Sequence, residues 1–296
     1  MERSGNTRNI TTNCSMDLFN TYVEDIGAMY SSTLALSALH FLTAVIAISG
    51  NGLVIAAICK TQSLHTPSNS LLCYLAITDF LTGLITQPST SMALISRSFG
   101  HYQTFCAAQL VSFMAGYFLS GVSFFTLALV SVDRFLAIHL HLRYESLVTI
   151  SKLFMVEACL AIVVFGTVLT SFFWFLLFEI LVAFITLTGL LVSLMAYSAI
   201  FRILIRHTEK IRSQVETKTR ITRKKDETSF DMRSFKRSYR TMAAIFTLFC
   251  LCYIPLLCTM FAFIFTDSKI LSIPIRIAYG VSTFLACMNG AINPVF

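Results

Sequence analysis

Seven runs of apolar residues, each long enough to cross a bilayer, alternate along the chain with charged, polar or proline-containing stretches. They fall near 34–59, 69–93, 106–138, 151–172, 178–205, 241–266 and 273–296. A hydrocarbon core about 30 Å thick needs about 20 residues of helix, so each run predicts one spanning helix. From Leu153 to Phe201 the only charges are Glu157 and Glu179. A single helix of that length would overshoot the bilayer, so two spans are expected there, with a tight reversal between Ser171 and Glu179. The fold class expected is an all-α membrane protein, a seven-transmembrane helix bundle. Residues 1–33 form its extracellular segment and 34–296 its membrane domain.

Composition strengthens this picture. Of 296 residues, 56% are hydrophobic and 12% charged, where a soluble globule carries about a quarter charged residues. Basic residues near span ends are retained on the cytoplasmic side. With the N-terminus outside, five of the 22 Lys and Arg residues lie outside (Arg3, Arg8, Arg97, Lys269, Arg276) and the rest inside. The cell membrane, crossed seven times with the C-terminus in the cytosol, is the expected location. Most of the inner charge sits in the third cytoplasmic loop, about 206–240. That loop suits attraction to anionic membrane lipid, docking of a cytosolic protein, or both, and no nucleic-acid motif accompanies it. The first 33 residues hold no short apolar stretch with a cleavage site, so no removable signal peptide is expected. Asn9 and Asn13 begin glycosylation sequons in that segment, as a lumenal location permits. Of nine cysteines, Cys14 and Cys106, and less readily Cys258, lie where an oxidising exterior could join them.

An ionisable group in hydrocarbon needs a reason to be there. Asp79 lies midway along the second span, with Asn51, Ser123, Asn289 and Asn293 at comparable depth in the first, third and seventh. Two readings stand open, an interhelical hydrogen-bond cluster or a cation or proton site. Asp133 and Arg134 close the third span, and taken alone they read as interfacial anchoring charge. Pro255 and Pro294 each remove a backbone hydrogen bond and predict kinks in the last two spans. Gly-rich phosphate loops, metal-spaced His and Cys clusters and nucleophile elbows are all missing from the sequence, which argues against an enzyme.

Read in order, these features resemble the rhodopsin-like family of G-protein-coupled receptors. The residues that carry the resemblance are Gly50-Asn51, Leu75-Ala76 with Asp79, Asp133-Arg134-Phe135, Tyr197, Phe249 with Cys252-Tyr253-Ile254-Pro255, and Asn293-Pro294. The resemblance implies a receptor that transduces an extracellular ligand signal to a heterotrimeric G protein. Asp133, Arg134, Phe135 and Tyr197 would serve G-protein coupling. Asn51, Asp79, Ser123, Asn289 and Asn293 would line a polar pocket for a structural sodium ion, and no other cofactor is implied. Phe249, Tyr253, Pro255 and Pro294 would form the activation switch.

Departures from the family pattern narrow the expectation. Phe135 replaces the usual Tyr, Tyr253 the usual Trp, Gly189 the fifth-span Pro, and the fourth span lacks its Trp. Gln109 stands where the family's disulfide cysteine lies. The short second outer loop and the stretch from Asp133 to Tyr144 are similar to the adenosine and melanocortin group, of which this chain would be an orphan member. Ser89, Gln109 and Phe113 replace the acids of melanocortin receptors, and Gly116 stands where amine receptors place an aspartate. The ligand is therefore expected to be neutral or lipid-like and not a cationic amine. Its expected pocket, largely apolar, comprises Phe113, Tyr117, Ser120, Leu256, Leu257, Met260 and Thr283. Phe235 stands where some members place an acid that pairs with the third-span Arg, which predicts raised basal activity. The sequence stops at Phe296, one residue before the family's seventh-span Tyr, as a truncated piece would. A chain ending there is expected to signal poorly. The alternatives are a seven-span transporter or channel, and a receptor-like protein that no longer signals. A transporter should show matched broken helices in its two halves, whereas the kinking prolines noted here fall in the last two spans.

Overall fold

The computed structural model describes residue 14 and residues 26–140, 143–217, 247–248, 250–262 and 273–295. Seven apolar helices run in the order α1 (Ile26–Lys60), α2 (Pro67–Ser98), α3 (Tyr102–Leu140), α4 (Ile150–Thr170), α5 (Phe175–Thr217), α6 (Cys250–Ala262) and α7 (Ile273–Ile292). The first five are long and apolar enough to cross a membrane, and the described parts of α6 and α7 are shorter. Side chains such as Phe154, Ile162, Val163 and Phe165 on α4 face outward, as hydrocarbon surroundings allow.

Local chemistry sets the helix ends. Thr66 caps α2 by accepting a hydrogen bond from the Asn69 N–H (3.3 Å), and Pro67 opens the helix where its missing donor costs nothing. At the other end Gly100 takes φ +74°, and the His101 N–H closes back on the Ser96 carbonyl at 2.8 Å. A left-handed residue here turns the chain straight into α3. Only Ser171–Trp174 separate α4 from α5, which is the tight reversal expected from the apolar run.

Three boundaries differ from expectation. α1 begins at Ile26 rather than near 34, and α5 continues to Thr217, into the segment assigned to the third loop. The α5 extension is strongly polar, and the α1 extension, Ile26–Thr33, is uncharged and ends in Ser31, Ser32 and Thr33; in both, helical hydrogen bonding continues past the apolar run read from the sequence. The third difference lies inside α2, where Thr82–Thr86 form a π-helical turn directly before Pro88. Pro88 cannot donate to the Leu84 carbonyl, and the widened turn absorbs that defect. The placing of proline irregularities in the last two spans alone is corrected by this turn. Pro294, moreover, falls in a 3-10 turn, Asn293–Val295, that ends α7.

α3 is central and touches α2, α4 and α5, while α1 packs on α2 and α7. Gly50 makes the α1–α7 contact possible, because a Cβ there would stand 2.9 Å from Pro294 Cγ.

Candidate functional site

At the end of the bundle where α2 turns into α3, the helices α1, α2, α3 and α7, with Leu256 of α6, enclose a cavity of about 160 Å³. Phe113, Tyr117, Ser120, Leu256 and Thr283 line it, and Leu257 and Met260 do not. Met260 is itself fully buried in the bundle. The cavity is displaced toward α1 because Phe178 of α5 fills the opposite side. Phe178 is wholly buried, with ring centroids 5.5 Å from Phe113 and 4.9 Å from Tyr117. α1 and α2 add Ser32, Thr33, His40, Thr86, Thr90 and Arg97 to a lining that is otherwise largely apolar. Hydroxyl pairs staple its walls, with Tyr117 and Tyr279 at 2.8 Å across α3 and α7, and Thr90 and Ser112 at 2.5 Å across α2 and α3.

A disulfide joins Cys14 to Cys106 at the start of α3, with the two Cα atoms 5.5 Å apart. Cys258 is a free cysteine. Cys14 is buried against Phe105, Phe113 and Phe178, so this residue is held beside the cavity wall.

Below the cavity lies a buried polar centre. Asp79 accepts hydrogen bonds from Ser123 Oγ (3.0 Å) and Asn293 Nδ2 (2.6 Å), which ties α2 to α3 and α7. A Cβ on Gly290 would lie 2.8 Å from the Asp79 carboxyl carbon, so glycine there lets α7 close on the carboxylate. Asn51 donates to the carbonyls of Ala47 (2.9 Å) and Gly290 (2.8 Å) rather than to Asp79 itself. Asn289 is buried, and its Nδ2 has no hydrogen-bond partner among the described residues.

Beside this centre, the Phe124 ring packs edge-on to Tyr253 at 5.1 Å, in a cluster with Leu75, Leu127 and Cys252. Phe124 occupies the space that Gly189 leaves on α5, where a Cβ would stand 2.1 Å from the ring. Pro255 lies within α6 two residues beyond Tyr253.

At the opposite end of the bundle Asp133 is not an exposed anchoring charge. It is 3% exposed and accepts hydrogen bonds from Ser68 Oγ (2.5 Å) and from the Tyr144 hydroxyl. It thereby joins α3 to the start of α2 and to the helical turn Tyr144–Leu147. Burial, and the hydrogen bond it gives Asp133, push the Tyr144 phenol up, which keeps it a neutral donor. Arg134 Nε stands 3.9 Å from Asp133 Oδ2 and is more exposed than its partner. Tyr197 reaches Ser131 of α3 near Arg134, and Phe135 stacks on His139 at 5.4 Å.

Phe249, Phe235, Asn9 and Asn13 lie outside the described residues. Several residues escaped the sequence reading. Arg97 was counted as a loop charge, yet Thr86, Thr90, Leu94 and Arg97 follow helical spacing, which would have placed it on the cavity face. His40 and Glu157 are ionisable groups within apolar runs, a signal in itself. Glu157 is 7% exposed beside Thr126. The Thr126 hydroxyl is given to the Val122 carbonyl (2.9 Å), and neither Glu157 oxygen has a hydrogen-bond partner among the described residues. Ser68 carries no sequence signal beyond polarity, and Tyr144 entered only as the end of the stretch that resembles the adenosine and melanocortin group.

Residues 50–179 and 170–296 match the 7 transmembrane receptor (rhodopsin family). The adenosine receptor A2b of Rattus norvegicus is 36% identical over 135 residues, 46% of this chain and 39% of that receptor. The Homo sapiens adenosine receptor A2b is 37% identical over the same share of each chain. Trace amine-associated receptor 1 of Mus musculus is 34% identical over 119 residues, 40% of this chain and 35% of its own. The chain thus spans about two fifths of the length of the curated relatives it matches.

Proposed function

The chain belongs to the rhodopsin family of seven-transmembrane receptors, and on that premise we propose that it senses an extracellular ligand in the outer cavity and signals to a heterotrimeric G protein at its inner face. The observation that carries this reading is the order of the three sites along one bundle. The cavity, the Asp79 centre and the Asp133 latch share α2 and α3, and the first two share α7. A ligand acts by binding one arrangement of such a bundle more tightly than another, and cavity binding and opening of the inner face are then linked free energies.

Each site has a part in that cycle. Asp133, held by Ser68 and Tyr144, keeps the inner face shut. Opening releases Arg134 which, with Phe135 and Tyr197, meets the G protein. Tyr253 and Phe124 pass the movement of α6 to α3, with Phe249, Pro255 and Pro294 completing the switch. Asp79 and Ser123, with the amide oxygens of Asn289 and Asn293, are the all-oxygen donor set a hard cation requires. They would hold a sodium ion that favours the shut state, and Asn51 positions the neighbouring α7 backbone. Each Asp79 oxygen keeps a lone pair beyond the hydrogen bond it receives, and Asn289 is the buried group left over for such a site.

Among the described residues the cavity lining carries no carboxylate, which disfavours the protonated amine that the name of the trace amine-associated relative suggests. The narrower kinship with adenosine receptors is supported by the A2b similarity, and that with melanocortin receptors rests on motif likeness alone. The cell membrane is the site of action, with residues 1–33 outside, Asn9 and Asn13 open to glycosylation, and the loop of about 206–240 inside, against anionic lipid.

The test is nucleotide exchange on a purified heterotrimeric G protein by the chain extended through a natural tail, beside Arg134→Ala at matched expression. Exchange that falls in the variant supports coupling. Exchange equal in the two, or absent from both, favours a transporter or a receptor-like protein that no longer signals.

A further inference from the structure

Thr86 departs from the threonines near it in the bundle. Thr78, Thr82, Thr90 and Thr283 each donate their hydroxyl to a carbonyl three or four residues earlier, at 2.8–2.9 Å. Thr86 closes the π-helical turn of α2, in which the Thr82 carbonyl takes the Gln87 N–H. That wider turn moves the carbonyl four residues back out of the hydroxyl's reach. Thr86 Oγ1 therefore has no hydrogen-bond partner among the described residues, although the residue is 2% exposed and lines the cavity. Its methyl group lies toward Gly116 of α3, where a Cβ would stand 3.1 Å from it.

His40 of α1 is a second such group in the same cavity. It is 2% exposed, its ring stands edge-on to Phe284 of α7 at 5.2 Å, and its Nδ1 has no hydrogen-bond partner among the described residues. The Ser37 and Ser91 hydroxyls, 2.8 Å apart, set the register of α1 against the antiparallel α2. His40 and Thr86 lie three and five residues beyond that pair in the same direction, about 4.5 and 7.5 Å along their helices. The two atoms thus share one level of the cavity. Buried polar atoms are almost always partnered in native proteins, so a pair of them lining one cavity calls for a polar atom of the molecule that fills it.

We propose that the ligand carries a hydroxyl group that bridges His40 Nδ1 and Thr86 Oγ1, with an apolar body of about one ring against Phe113 and Tyr117. A hydroxyl both donates and accepts, so it satisfies the threonine together with either tautomer of the imidazole, whereas an ether or carbonyl oxygen only accepts. The size of the body follows from the enclosed volume of about 160 Å³, since a cavity of about 150 Å³ holds benzene. Phe113 and Tyr117, with ring centroids 4.8 Å apart, supply its aromatic wall. This anchor rests on the reading of this cavity as the ligand site and requires no particular charge of the ligand.

The experiment compares phenylpropanol with butylbenzene, in which a methyl group replaces the hydroxyl. Each is titrated by calorimetry against the purified full chain in an uncharged detergent, beside Thr86→Val, Thr86→Ser and His40→Phe. Partition into micelles is common to all the chains, so each probe is compared between chains. The alcohol should bind Thr86→Val and His40→Phe about fivefold more weakly than the wild type, as loss of one neutral hydrogen bond implies, while butylbenzene loses nothing on Thr86→Val. Thr86→Ser, which retains a hydroxyl, should keep the affinity for the alcohol. Should His40→Phe fail to fold, the isosteric Thr86→Val decides alone. The proposal is overturned if the alcohol shows no saturable binding, if both probes weaken equally on Thr86→Val, or if neither does; in the last case the two atoms hold ordered water only. Because binding is read without G protein, that failure leaves coupling untouched. Failure of coupling would instead show as loss of Arg134-dependent exchange with the Thr86 dependence of alcohol binding intact.

Discussion

Replacing Gly189 by alanine sets two opposing effects against each other. Alanine in a helix interior is favoured over glycine by about 1 kcal/mol. At Gly189 the new Cβ would stand 2.1 Å from Phe124 Cε1 and 2.6 Å from Cζ, where carbon atoms normally keep about 3.5–4.0 Å. The ring would have to retreat by about 1.5 Å to restore that spacing. Tyr253, itself buried, stands in its way with a ring centroid 5.1 Å off. Overpacking of this kind costs about 1–3 kcal/mol, so the clash outweighs the propensity gain by about 1 kcal/mol. In thermal unfolding of the detergent-solubilised chain, Gly189→Ala should lower Tm by about 2–4 °C. Gly166→Ala on α4 is the control, because nothing lies within 4 Å of a Cβ there and only the propensity gain remains. Adding Phe124→Leu to Gly189→Ala should cancel most of the loss, a coupling that a double-mutant cycle reads directly. A Gly189→Ala chain stabilised like Gly166→Ala would refute the wedge of Phe124 between α5 and α6.

Three further outcomes are expected. Sodium chloride should raise Tm above that in equimolar choline chloride for the wild-type chain and not for Asp79→Asn; an equal increment in both would remove the cation site. Glu157→Leu should stabilise by about 1–3 kcal/mol, because it deletes a buried carboxyl group whose oxygens have no hydrogen-bond partner among the described residues; a lower Tm would reveal a partner for that carboxylate. Basal second-messenger output should drop on Phe235→Glu if a missing acid leaves the inner face loosely closed, and an unchanged baseline counts against that idea.

Hydrophobic run length made the helices legible, because lipid demands about 20 apolar residues and little else does. It made their ends less so. Ile26 and Thr217 lie where helix persists beyond the hydrocarbon, and the run of apolar residues carries no information about that continuation. The Asp79 centre was legible because an acid in an apolar span is costly enough to advertise itself, and the same rule applied to His40 and Glu157 would have flagged both. The cavity was legible only in part. Phe113 and Tyr117 lie on it, but its shift toward α1 depends on Phe178 filling the α5 side, a packing outcome that no local pattern encodes. The role of Asp133 likewise depends on Ser68 and Tyr144, brought to it from two separate segments by the fold.

The claim beneath all of this is that one bundle presents its cavity to the exterior and its basic loop to the cytosol. Epitope tags at the N-terminus and at about residue 225, stained in intact and in permeabilised cells, test it most directly. The N-terminal tag should stain on intact cells and the loop tag only after permeabilisation. Staining of both in intact cells, or the reverse order, would contradict the account.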